Sequence, residues 1–324
     1  MIEVISASRA QELRELPTLD RLVDEARRMH MNPGWAIGRA TPSSAPSTFG
    51  PVHWRYEECK AALDAANRLV DVKQAERRNF ALRNPFEGNV AATARTLACA
   101  YQSILPGESA PSHRHAAHAF RLIIEGHGSY SVVNGEKHPM ETGDVVLTPG
   151  NLWHGHGHDG SGPAYWLDGL DAPLARYAGA MYFTEHPDGF EKNIRPVASS
   201  PFLFRRAEIA RRLDSAKADP QGFHGPKTVF ETPSMPTVGL SMERLEAGQH
   251  TRRQRSTPSR VFCVVEGTGA SVVDDKIFNW APGDVFVVPN WTRYEHRADR
   301  DSMLFCFSDE PLIRFAGYWR FEAD

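Results

Sequence analysis

The chain spells out one pattern twice. Around Glu125 it reads Arg121-Leu-Ile-Ile-Glu-Gly-His-Gly128, followed by Gly143-Asp-Val-Val-Leu-Thr-Pro149; around Glu266 it reads Phe262-Cys-Val-Val-Glu-Gly-Thr-Gly269, followed by Gly283-Asp-Val-Phe-Val-Val-Pro289. A period of about 140 residues is too long for a solenoid and suits two copies of one domain. Laid on each other, the copies set His113 opposite Gln254, His115 opposite Ser256 and His154 opposite Tyr294. The first copy therefore has the imidazoles a metal needs at these positions and the second does not.

A length of 324 residues gives each copy enough chain to bury its own core, and 41% hydrophobic with 24% charged residues is ordinary for a globular protein. A net charge of -3 offers no basic patch for nucleic acid and no polybasic stretch for a membrane surface, so the expected ligand is small. The four cysteines form no close pair, which argues against a zinc knuckle or a disulfide framework. The N-terminus lacks a basic region before an apolar stretch, and no run approaches a membrane span. A cytoplasmic location is expected.

Residues 8–30 and 57–82 carry apolar side chains at three-and-four spacing, the pattern of amphipathic helices, with a Pro/Ser-rich connection at 39–52. From about Arg95 the period shortens to runs rich in β-branched and aromatic residues, punctuated by Gly, Pro and the hairpin signal Asn134-Gly135. These runs predict an all-β sandwich or barrel. The expected organisation is a helical N-terminal arm over 1–91, a first β domain over 92–184, a connection over 185–235 with a helix near 205–217, a second β domain over 236–310, and a C-terminal tail over 311–324.

Eight of the fourteen histidines fall between 113 and 158. His113 and His115, two apart, point to one face of a strand, and His154 follows the Gly143 to Pro149 strand. Three nitrogens on one face of a metal leave positions open, which is the requirement of catalysis rather than structure. His118, His127, His138 and His158 read as exposed loop residues.

Gly107-(five residues)-His113-Arg-His115-(ten residues)-Gly126 and Gly143-(five residues)-Pro149-(four residues)-His154 resemble the paired motifs of the cupin superfamily. Many cupins place a Glu ligand where this chain has Ala119, so the resemblance is to the three-His subgroup. Within it, Leu105-Pro-Gly-Glu108, Phe120-Arg-Leu-Ile-Ile-Glu-Gly126 and Trp166-Leu-Asp-Gly-Leu-Asp171 are similar to the gentisate/salicylate 1,2-dioxygenase family of bicupins. Glu76-Arg-Arg-Asn-Phe-Ala-Leu-Arg-Asn-Pro85 and Val285-Phe-Val-Val-Pro-Asn-Trp291 extend that similarity over nearly the whole chain.

The resemblance implies an all-β bicupin of two jelly-roll barrels, a homotetramer, with Fe(II) held by His113, His115 and His154. It also implies a 2-hydroxybenzoate and O2 as substrates, with cleavage between the carboxyl-bearing and hydroxyl-bearing carbons to an oxo-diacid. Arg121, six residues after His115, is expected to face the same interior, where a buried guanidinium needs an anion. That anion would be the substrate carboxylate, or else Asp168 as a salt-bridge partner. Gln102, Asp168 and His156 match family positions near the site: Asp168 to orient a ligand or Arg121, His156 to exchange a proton with the phenol or merely to cap its loop. Arg78, or its neighbour Arg77, is expected to reach in from the arm. Ala98, where the family commonly has a bulky aromatic, would widen the pocket for a 5-substituted ring such as 5-nitrosalicylate. The rival expectations are gentisate as the substrate, or a non-catalytic metal-containing bicupin that senses aromatic acids. Manganese, nickel or zinc would fit the same ligand set.

Overall fold

In the computed structural model, which describes residues 7–31, 35, 48–71, 77–197 and 199–324, Asn134 and Gly135 both take positive φ, 51° and 79°. That is the backbone a tight two-residue hairpin requires, and it joins Ser129–Val133 to Glu136–Met140. The second copy has its hairpin at the same place, between Gly269–Val273 and Lys276–Trp280, where of the two turn residues only Asp274 takes positive φ, 52°.

The chain divides near residue 46 into two compact units. In the first, helices Ala7–Arg14 and Leu19–Arg28 replace the single periodic run over 8–30, and Thr18 caps the second by accepting from the Arg21 amide at 3.3 Å. The second unit holds two barrels of two sheets each, as expected of two jelly rolls. The first barrel's inner sheet runs Leu203–Phe204, Val145–Thr148, Ala119–Glu125, Ala164–Leu170, Ala98–Ile104, Arg78–Ala81; its other sheet runs Phe183–Glu185, Ser109–His115, His154–His158, Ser129–Val133, Glu136–Met140, Arg195–Pro196. The second barrel repeats this with Val52–Trp54, Val285–Val288, Arg260–Glu266, Ser302–Ser308, Gly239–Leu245, Lys227–Val229, facing Lys276–Trp280, Gly269–Val273, Tyr294–Ala298, Gln254–Ser256, Phe321–Ala323.

Part of the helical expectation for the arm is overturned. The helix is Tyr56–Leu69, and Arg78–Ala81 is a strand that pairs with Ala98–Ile104. An open sheet edge satisfies the backbone of Arg78–Ala81, and that outweighs its local helical spacing. Glu76 of the arm motif and most of the Pro/Ser-rich connection lie outside the described residues. The C-terminal segment is likewise structured, as helix Glu310–Phe315 and strand Phe321–Ala323.

The structural repeat is longer than the one visible in the sequence. Strand Val52–Trp54 sits in the second barrel's sheet, helix Tyr56–Leu69 follows, and Arg78–Ala81 joins the first barrel. Strand Leu203–Phe204 sits in the first barrel's sheet, helix Arg206–Ser215 follows, and Lys227–Val229 joins the second. Each β-α-β tie thus crosses from one barrel to the other, in opposite directions. The repeated Gly-Asp motif anchors both. Asp284 accepts from the Tyr56 amide at 2.8 Å and lies 2.9 Å from His53 Nε2. Asp144 accepts from the Arg206 amide at 2.8 Å and from Arg205 at 3.0 Å. Thr237 donates to Asp171 and Thr96 to Asp309, a second reciprocal pair of ties.

Strand alternation decides which side chains enter a barrel. Tyr101, Phe120, Leu122 and Leu167 face away from the first interior and share one core with Val261, Val287, Phe305 and Phe307 of the second barrel. Phe120 lies 5.1 and 4.9 Å from the Phe305 and Phe307 rings. The residues between them, Gln102, Arg121, Ile123, Trp166 and Asp168, therefore face the first barrel's interior, where Ile123 and Trp166 are core. Asp284→Ala is expected to lower unfolding free energy by about 2–3 kcal/mol, since it strands a buried amide that bonded a carboxylate. Urea denaturation with an unchanged m-value checks this.

Candidate metal centre and active site

His113 and His154 are direct register partners on the strands Ser109–His115 and His154–His158, and His115 lies two residues along from His113. One ring nitrogen from each of the three lies within 4.8 Å of the others. Each Nδ1 faces a backbone carbonyl: Pro111 at 3.5 Å for His113, Ala117 at 2.8 Å for His115 and Leu152 at 3.0 Å for His154. For His115 and His154 these carbonyls favour the Nδ1–H tautomer and leave Nε2 as the converging lone pair, whereas His113 Nδ1 also lies 2.7 Å from the Arg77 guanidinium and accepts from it. His154 Nε2 is buried without a partner. Burial, with Arg77 and His115 next, lowers the His113 pKa to about 2, and burial likewise lowers His115 and His154. Neutral imidazoles are what a metal ion needs, so the donor set fits one.

Arg121 and Asp168 are register partners, with Arg121 Nε 3.2 Å from Asp168 Oδ1. This is ion-pair range but off the hydrogen-bond direction: Nε and Nη1 of Arg121 and Oδ1 of Asp168 remain without hydrogen-bond partners although buried. Asp168 Oδ2 accepts from Trp166 Nε1 at 3.1 Å. Burial pulls the guanidinium down to about 10, with Asp168 opposing, and pushes the Asp168 carboxyl up. Gln102, 3% exposed, is the register partner of Trp166, and Ala98 lies on the same face of its strand. His156 is buried, its Nδ1 3.1 Å from Ser131 Oγ and its Nε2 unpartnered. Burial, then Arg121, holds it well below the usual range and hence neutral.

Three expectations are corrected. Arg78, 4% exposed, is spent on Glu108 and on the Val70 carbonyl at 3.0 Å. It pairs in register with Ser103, whose neighbour Gln102 faces inward, so alternation turns Arg78 outward. Arg77 is the arm residue at the site: its Nη2 lies 2.7 Å from His113 Nδ1 and donates to Pro111 O at 2.9 Å. His138 and His158, read as loop residues, are 0% and 2% exposed on strands. Phe183, stacked on His113 at 4.9 Å, was not anticipated; it arrives through an edge pairing that no local pattern announces. Arg78→Ala is expected to cost about 1–3 kcal/mol, since the partly buried Glu108 carboxylate then keeps only the Leu105 amide, whereas Arg77→Ala should leave thermal stability near wild type and tighten metal retention by up to about tenfold, because it removes a cation 2.7 Å from His113 Nδ1. Thermal melts and metal-exchange titrations separate the two.

The second barrel lines up as the sequence repeat indicated. Gln254 pairs with Tyr294 where His113 pairs with His154. Neither residue is a metal ligand of the imidazole type.

A cupin domain model matches residues 100–169. The chain is 34% identical to a 5-aminosalicylate 1,2-dioxygenase of Comamonas sp over 94% of its own length and 90% of that protein's. It is 32% identical to a gentisate 1,2 dioxygenase of Aquipseudomonas alcaligenes over 89% and 91% respectively. A solved salicylate 1,2-dioxygenase from Pseudoaminobacter salicylatoxidans, an adduct with gentisate, superposes with a TM-score of 0.84 at 29% identity, covering 96% of this chain and 95% of that one. Whole-length similarity of this kind, on two barrels of which one carries a buried three-histidine centre, means that the chain belongs to the gentisate/salicylate 1,2-dioxygenase family of aromatic ring-cleaving bicupins.

Proposed function

We propose that the protein cleaves the ring of a salicylate, including 5-substituted salicylates such as 5-nitrosalicylate, with Fe(II) held by His113, His115 and His154. The observation that carries this reading is the buried guanidinium of Arg121, whose Nε and Nη1 have no hydrogen-bond partner on the interior that the three histidines share. Such a group is costly unless an anion completes it. A ring carboxylate meets that need with charge-assisted hydrogen bonds, while Asp168 fixes the guanidinium's orientation.

When bound, Fe(II) supplies the electron transfer that spin-paired aromatics need to react with dioxygen. The protein's own groups bind and orient. Gln102 offers an amide to the ortho oxygen, and His156 Nε2 can take a hydrogen bond from the phenol, its ring fixed by Ser131. Phe183 and Trp166 wall the site and help exclude water. Ala98 leaves space where a larger side chain would press on the ring, which supports a 5-substituted substrate.

A homotetramer accords with the exposed Tyr177, Phe315 and Tyr318, and light scattering on the eluting protein tests it. A cytoplasmic location accords with four free cysteines. Turnover of gentisate, salicylate and 5-nitrosalicylate by the iron-loaded protein tests the substrate: salicylates are expected to be cleaved, and cleavage of gentisate alone would overturn the preference.

A further inference from the structure

The second barrel has lost all three metal ligands without filling the space. A cavity of about 340 Å3 is lined by Gln254, Ser256 and Tyr294, the residues at the ligand positions, together with Glu243, Arg260 and His296. Arg260 pairs with Val288 and Ser308 as Ala119 pairs with Thr148 and Leu170. The second barrel therefore carries a permanent cation where the first has a methyl group. Arg260 donates to Ser256 Oγ at 2.5 Å and to Glu310 at 2.7 Å.

Two polar atoms of side chains lining this cavity are buried without partners: Glu243 Oε1 and His296 Nε2, on residues 6% and 2% exposed. The proton on His296 can be placed. Trp280 Nε1 donates to Ser271 Oγ at 3.0 Å, and His296 Nδ1 lies 2.7 Å from the same oxygen. Ser271 is fully buried, so its hydroxyl hydrogen needs an acceptor, and Nδ1 is the acceptor at hand. His296 Nε2–H is then a donor. In the first barrel Met140, which has no hydrogen to give, stands in Trp280's register position, so this constraint belongs to the second barrel alone. Phe223, Phe262 and Phe321 supply aromatic walls, and Lys227 a further cation. Burial pushes the Glu243 carboxyl up, with Lys227 opposing, and around the cavity Lys227, Arg260 and Arg314 stand with Asp219, Glu243 and Glu310.

We propose that the second barrel is a metal-independent binding site for a single-ring aromatic carboxylate, held at its carboxylate by Arg260 and His296 Nε2–H and at a polar ring substituent by Glu243 and Lys227. The site is separate from the three-histidine centre and needs neither metal nor oxygen, so its test does not depend on ring cleavage. Metal-free full-length protein is titrated with 4-fluoro-3-hydroxybenzoate, followed by fluorine NMR and equilibrium dialysis. Saturable binding is expected that persists in Arg121→Gln and weakens at least about tenfold in Arg260→Gln and in His296→Phe. His296→Phe keeps a ring beside Phe262 and Phe286, so it carries the test should Arg260→Gln fail to fold. Absence of binding to the metal-free wild type, or binding lost in Arg121→Gln yet unchanged in His296→Phe, would overturn the proposal.

Discussion

His154→Ala is expected to yield a folded protein that holds no metal and has lost ring cleavage by roughly a thousandfold or more, because the open-sided centre cannot keep its ion with two donors. His154 is the most buried of the three ligands and its Nε2 is buried with no other partner, so its removal takes away a donor that nothing nearby replaces. Elemental analysis after dialysis and an oxygen electrode give the two readouts. Metal retained at one per chain with activity intact would mean that the ion lies elsewhere.

Arg121→Leu has the second largest expected effect, and it separates two roles that the structure superimposes. If Arg121 served only to neutralise Asp168, the double variant Arg121→Leu with Asp168→Leu would restore both stability and activity. With the substrate carboxylate as a second anion, Arg121 does more than neutralise Asp168. The single variant leaves a buried carboxylate uncompensated and should cost about 3–5 kcal/mol, while the double variant should regain much of that loss and still show kcat/KM reduced by roughly 10²–10³-fold, the worth of a forked charge-assisted contact. Arg121→Lys keeps the charge without the planar fork and is expected to recover only part of the activity. Denaturation curves and initial rates on one preparation of each variant decide the matter.

The three-histidine cluster was legible because metal chemistry demands particular side chains at particular spacing: His113 and His115 two apart on a strand, His154 on a neighbouring one. The two barrels were legible because turn residues recur, as Asn134-Gly135 and the paired Gly-Asp motifs do. The ties between the barrels were not. Their strands are held by backbone pairing, to which any side chain is compatible, and the signal left in the sequence is one aspartate in each copy, Asp144 and Asp284. The choice between Arg77 and Arg78 turns on the parity of an edge strand, which depends on register with Ala98–Ile104 and not on local composition. The same lack of register hid the burial of His138 and His158.

The second barrel has other side chains at the three ligand positions and keeps a cavity there. With Gln254, Ser256 and Tyr294 in place of ligands, the polar interior is kept and rebuilt around Arg260, while the outward faces continue to supply half of the shared core. A barrel that served packing alone would be expected to fill such a cavity with apolar side chains, because buried polar atoms without partners cost stability.

Oxygen uptake decides whether the three-histidine barrel carries out the proposed oxygen-dependent cleavage of a 2-hydroxybenzoate. The protein is loaded anaerobically with Fe(II), salicylate and air are admitted, and dissolved oxygen is recorded together with the ultraviolet band of the ring. Equimolar loss of oxygen and aromatic absorbance, absent from the metal-free protein and from His154→Ala, is the predicted result. Binding of salicylate to the iron-loaded protein with no oxygen consumed would contradict the account and identify the first barrel as a sensor of aromatic acids.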